Sequence, residues 1–180
     1  MIYACLKFLG EWHSPLTVIN YILLGGASGF TLAAAFAAVT APELVSFLAG
    51  WAAIITLLGL FSRSASLVRN ARLKPKSTLQ TAIGIKHPRI VQKAQGFMGG
   101  SFNTREFFHG QPVAVLRGVK WFFMLAVFPL PLLLLLSGMH GGSIALGAAF
   151  VVQYLGLLAE RWFFFAQANH PQNLYYQSIA

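Results

Sequence analysis

All thirteen Lys and Arg residues of this chain fall on one side of a membrane once its four long apolar runs are threaded across it. The runs lie near Thr17 to Val39, Glu43 to Phe61, Gly118 to Met139 and Ser143 to Phe165. Each is close to the roughly 20 residues that a helix needs to cross a hydrocarbon core. Between the second and third runs, residues 62–117 carry Arg63, Arg69, Arg72, Lys74, Lys76, Lys86, Arg89, Lys93, Arg105 and Arg117 against one acid, Glu106. An even number of crossings brings the N-terminal stretch, this connection and the C-terminal tail to the same face, together with Lys7, Lys120 and Arg161. The two short turns on the other face hold no Lys or Arg. By the positive-inside rule the basic face is cytoplasmic.

Composition supports this reading. Hydrophobic residues make up 57% of the chain and charged residues 9%, against roughly 25% charged in soluble domains. The expected fold is an all-α integral membrane protein with four transmembrane helices in two hairpins. A single membrane domain, 1–180, divides into a hairpin over 17–61, a basic connection over 62–117 carrying short surface helices, a hairpin over 118–165 and a tail over 166–180. Its partner is first of all membrane lipid. A net charge of +9 placed beside apolar runs records orientation and attraction to anionic headgroups rather than nucleic-acid binding. The one cysteine, Cys5, cannot form an intrachain disulfide or a Cys-x-x-Cys metal site.

Local signals place the turns. Thr40 and Glu43 have capping-box spacing around Pro42, which predicts a tight first hairpin. Gly138, Gly141 and Gly142 predict the second turn. Gly25, Gly29, Ala33 and Ala37 recur every fourth residue and predict a face on which another helix can pack closely. Pro129 and Pro131 predict a kink in the third span, tolerated where neighbours satisfy the freed carbonyls. In the connection, Ser77 and Gln80 have capping-box spacing before Thr81 to Ile85, and Pro88 precedes a short helix over Arg89 to Gln95. Polar residues inside the spans are few: Asn20, Ser28, Thr31, Thr56 and Gln153, with Glu160 and Arg161 at the basic end of the last helix. No ion path is evident. His13, His109, His140 and His170 lie outside the spans, which disfavours haem ligation. No metal site or ligated or covalently held cofactor is expected.

Two clusters on the basic face exceed what anchoring requires. One is GSFNTREFFHG, Gly100 to Gly110; the other is AERWFFFAQANHPQNLYYQ, Ala159 to Gln177. With EWHSPLTVINYILLG near the start, they resemble the membrane-anchor subunits of dimethyl sulfoxide reductase type, the DmsC family. The resemblance covers nearly the whole chain. It implies a bacterial inner-membrane, multi-pass anchor subunit, itself non-catalytic, of a molybdopterin oxidoreductase complex of dimethyl sulfoxide reductase or sulfite dehydrogenase type. Such a subunit holds a ferredoxin-like iron–sulfur subunit and a molybdopterin catalytic subunit at the membrane. It supports electron exchange with the quinone pool in anaerobic electron transport. The iron–sulfur clusters and molybdopterin then belong to the partners. Family members are expected to have about eight spans, so four spans resemble a C-terminal half, with an N-terminal half as a further partner.

A quinone site needs a donor at each carbonyl oxygen, a proton route to water and apolar walls for the ring. On the resemblance, the candidates are Arg105 and His109 as donors, Glu106 and Glu160 as proton carriers, and Arg161, Trp162 and His170 around them. The competing reading pairs Glu160 and Arg161 with neighbours and makes Trp162 part of an interfacial aromatic belt. Arg63, Arg69, Arg72, Lys74 and Lys76 are the candidates for docking an acidic partner. A reading of another class also stands: a small integral-membrane interaction or assembly protein with no redox role.

Overall fold

A computed structural model of the protein describes residues 2–74, 78–91, 93, 112–140 and 142–169. Every regular element among them is helical: α1 (Ile2–Cys5), α2 (Pro15–Thr40), α3 (Val45–Ala71), α4 (Leu79–Ile83), α5 (Val113–Val127), α6 (Pro129–Met139) and α7 (Ser143–Ala166). Among the described residues four stretches are long and apolar enough to cross a membrane: Pro15–Thr40, Pro42–Ala71, Val113–Met139 and Ser143–Ala166. The protein is thus a multi-pass, all-helical membrane protein. α2 packs mainly on α3, while α7 packs on α5, α6 and α2.

The helix ends show how short-range chemistry sets the spans. Ser14, in extended backbone, accepts the Leu16 N–H on its side chain, and Pro15 follows in the first turn of α2, where its missing N–H costs nothing. The expected Thr40–Glu43 capping box does not form. Thr40 Oγ1 donates back to the Phe36 carbonyl at 3.1 Å, so its hydroxyl is used inside α2. A 3₁₀ turn, Pro42–Leu44, carries the chain into α3 without a side-chain cap. α3 then runs past Phe61 to Ala71, because 62–71 contain no helix breaker and Arg63 and Ser66 are buried on its inner face.

The packing face of α2 shares only Ala37 with the expected stripe. Gly25 and Gly29 point outward, where an added Cβ would meet nothing within 4 Å. The buried line is Thr17, Asn20, Leu24, Ala27, Thr31, Ala34 and Ala37. Ala34 and Ala37 join Val45, Ala49 and Ala52 of α3 and Leu135, Leu146 and Ala149 of the second hairpin in one core cluster. Beside the four-residue repeat of small residues, this inward line recurs mostly in alternating steps of three and four along α2. It is the one that carries the buried polar side chains.

The third span breaks at Phe128, whose φ −112° and ψ −78° separate α5 from α6. Pro131 cannot donate to the carbonyl four residues back, so Val127 O is released from the helix ladder. Gln153 of α7 supplies the missing donor: its Nε2 lies 3.3 Å from Val127 O and 3.3 Å from Thr56 Oγ1. Thr56 Oγ1 in turn donates to Ala52 O at 2.7 Å. Gln153 and Thr56 are both 0% exposed. α7 reaches the break by an unusually close approach. A Cβ on Gly156 would lie 2.8 Å from Ala126 Cβ and 2.9 Å from the Ala126 carbonyl carbon. Only glycine fits there.

In the connection, α4 starts one residue later than expected. Thr78 is its N-cap, sharing a reciprocal capping box with Thr81, and Gly84 ends it with φ +75°, the left-handed conformation that favours glycine. Ser77 lies outside the described residues. The helix expected over Arg89 to Gln95 is absent at residues 89–91 and 93. There the His87 Nδ1 accepts the Arg89 N–H at 3.0 Å, a local bond that competes with helix formation.

Replacing Gln153 by Leu should leave the Val127 carbonyl unpaired and lower stability by about 1–3 kcal/mol, read as thermal unfolding in detergent. Adding Pro131→Ala should recover most of that loss, because an alanine N–H can pair with Val127 O. No recovery would mean that Gln153 acts in some other way.

Candidate functional site

Where the α3 and α7 side chains meet on the basic side of the bundle, three charges are packed together. Arg63 Nε lies 2.8 Å from Glu160 Oε1, with side-chain exposures of 2% and 0%. The second carboxylate oxygen, Oε2, is held by Nε and Nη2 of Arg161. Arg63 Nη1 also reaches Ser66 Oγ at 3.5 Å. Aromatic faces complete the shell. The Arg63 guanidinium lies 5.5 Å from the Phe123 ring centre and 5.9 Å from that of Phe163, while the Arg161 guanidinium lies 4.2 Å from Tyr21 and 5.0 Å from Phe164. Ring faces are negative and attract cations, more strongly where water is excluded. The site therefore joins α2, α3, α5 and α7 and contains two guanidinium groups for one carboxylate.

Beside it the N-terminal segment is clamped to the end of α7. Trp12 Nε1 donates to the Phe164 carbonyl at 2.9 Å, and the two rings stack 5.1 Å apart at 9°. Tyr3 meets Trp12, Phe164 and Phe165 edge-on. Arg69 holds the same segment from α3, donating to Gly10 O at 3.0 Å and His13 O at 3.2 Å. Asn70 Nδ2 adds a bond to Glu11 O at 3.3 Å.

The sequence-derived candidates thus separate into groups. Glu160, Arg161 and Trp162 do share one helix end, with Trp162 packed against the cluster of Leu24, Phe123, Val127, Phe128 and Phe163. Arg63 is 1% exposed, so its charge serves Glu160 and not a surface. Arg69 is spent on backbone carbonyls. Arg72 and Lys74 are exposed. Lys76, Arg105, Glu106, His109 and His170 lie outside the described residues. Sequence reasoning missed the Arg63–Glu160 pair and the part played by Tyr21. The available signal was that an ionisable group inside a span is almost always paired. Among the described residues no group of three or more His, Cys, Asp or Glu is placed to hold a metal ion.

The chain is 59% identical over 181 residues to a protein from Allochromatium vinosum named as a subunit of sulfite dehydrogenase, in an alignment covering 100% of this chain and 56% of that relative. It therefore spans little more than half the length of the curated relative it matches. No protein-family model and no solved structure matches it.

The charge count makes the three positions unequal. Glu160→Gln should destabilise the protein by about 3–5 kcal/mol, since it strands the buried Arg63 and leaves the partly buried Arg161 without its carboxylate. Arg63→Met should cost clearly less, because Arg161 still neutralises Glu160. Thermal unfolding of the two variants in the same detergent checks the order, and equal losses would refute it.

Proposed function

We propose that the chain is a membrane-spanning part of the anchor subunit of a molybdopterin-type oxidoreductase complex, with sulfite the favoured substrate of the catalytic partner. The observation that carries this reading is the 59% identity, over the whole of this chain, to a protein named as a subunit of sulfite dehydrogenase. Four helices long and apolar enough to cross a membrane suit an anchor. The bacterial inner membrane is the proposed location, with the basic face cytoplasmic on the positive-inside rule.

In this reading a ferredoxin-like iron–sulfur subunit docks on the basic face. Burial narrows which residues can meet it. Arg63 and Arg69 are engaged internally, which leaves Arg72 and Lys74, exposed just beyond the end of α3, and Lys76 two positions on. A cluster of like charge at the rim of an interface acts mainly on encounter and register, and salt weakens it. Electrons then pass between the partner's clusters and the quinone pool. Arg105 and His109 are the proposed donors to a quinone oxygen and Glu106 the proton carrier, with Trp162 and His170 on the same face. Both oxygens of Glu160 are already held by arginines, so Glu160 and Arg161 fix the helix end beside Trp162.

The double variant Arg72→Glu, Lys74→Glu, made in the complete complex, should lose most of its iron–sulfur subunit on purification. The wild-type complex should lose it only at high salt. Equal retention in both would count against docking at this edge. Quinol-linked turnover should fall at least about tenfold in Arg105→Gln or His109→Gln, the loss expected when a charged hydrogen bond is removed. Full activity would take those residues out of the quinone site.

A further inference from the structure

We propose that Arg161, backed by Arg63, binds the phosphate of an anionic phospholipid in the leaflet on the basic side. The cluster has an unmatched charge. Two guanidinium groups share Glu160, and the other described acids are elsewhere: Glu11 Oε1 accepts the backbone N–H and the Nδ2 of Asn169 at 3.3 and 3.1 Å, and Glu43 lies in the opposite turn. One positive charge is left without a counter-ion among the described residues.

The same deficit appears atom by atom. Arg63 Nη2 and Arg161 Nη1 are buried and have no hydrogen-bond acceptor among the described residues, while Arg63 Nε and Glu160 Oε1 face each other as an ion pair without hydrogen-bond geometry. The aromatic rings do not remove this deficit. A ring engages the face of a guanidinium, whereas its N–H donors lie in the plane, and in-plane donors need oxygen. An unmatched cation in a low-dielectric bundle is costly and recruits an anion if one is within reach.

Depth and exposure identify the anion. Arg161 lies five residues before the end of α7, about 8 Å along the axis. Tyr21, whose ring it covers, lies six residues after the start of α2. Both are thus at the boundary between acyl chains and headgroups, where a long Arg side chain reaches phosphate depth. The Arg161 side chain is 28% exposed against 2% for Arg63, so Arg161 meets the ligand once its buried Nη1 swings outward, and Arg63 supplies field from behind. A phosphate diester offers two oxygens to a planar guanidinium, a geometry that arginine recognises.

The full chain would be reconstituted in phosphatidylcholine alone or mixed with phosphatidylglycerol, and its unfolding temperature measured. The wild type should unfold several degrees higher in the mixture, Arg161→Gln at the same temperature in both, and Lys120→Gln with the wild-type difference. Phosphatidylglycerol retained through detergent purification should fall about tenfold in Arg161→Gln. If that variant does not fold, Arg161→Lys reads the same comparison and should retain part of the response. A wild-type response in the Arg161 variants would assign the effect to general surface charge and overturn the proposal. Stabilisation by inorganic phosphate in phosphatidylcholine would make the ligand a free anion and also overturn it. So would a wild type indifferent to lipid whose Glu106→Gln variant becomes sensitive, since Glu106 would then be the missing counter-ion.

Discussion

Glu160 is the anchor point for charge inside this bundle, and much of the arrangement on the basic side follows from neutralising it. A carboxylate held at 0% exposure between membrane helices must be paired, and Arg63 reaches it across the bundle at 2.8 Å. α3 packs chiefly on α2, and α7 on α5, α6 and α2. The ion pair therefore ties together two helices that are not principal packing neighbours. Arg161 closes the second oxygen from the same helix, and Phe123, Phe163, Tyr21 and Phe164 line the cations. Arg69 and Trp12 then fasten the N-terminal segment over the same end.

Toward the middle of the bundle the same rule works without charge. Lipid offers no hydrogen bonds, so a carbonyl freed by proline must find a donor within the protein. Gln153 answers Pro131 in this way, and its contact with Thr56 brings α3 into the same node. The close packing of Gly156 on Ala126 brings α7 near enough for a glutamine to span the gap. Break, glycine and glutamine form one unit spread over three helices.

Much of this was legible in advance because lipid simplifies the problem. Each expected span lies within an observed one, and Ser143 and Met139 bound helices as expected. The errors arose where several local solutions compete. Thr40 had both the Phe36 carbonyl and the next helix as partners, and chose the carbonyl. Thr78 caps α4 where Ser77 was the expected cap, because neighbouring hydroxyl residues can each cap a helix start. On α2 the four-residue repeat of small residues and the line through Leu24, Ala27, Thr31 and Ala34 both have helical spacing. Which one turned inward depended on α3 and on the second hairpin.

The amino-acid sequence by itself determined the four long apolar helices, and it is the sole basis for the proposed crossings and one-sided basic face. These follow from run length, turn residues and charge, which are local quantities that a bilayer reads directly. Tertiary structure alone decided what the charged and polar residues do. Arg63 and Glu160 are 97 positions apart, as are Thr56 and Gln153, and no local pattern relates either pair. Arg63 looked like surface charge because it follows an apolar run. It became the inner half of an ion pair because α3 continued as a helix and turned it toward a carboxylate that water could not reach.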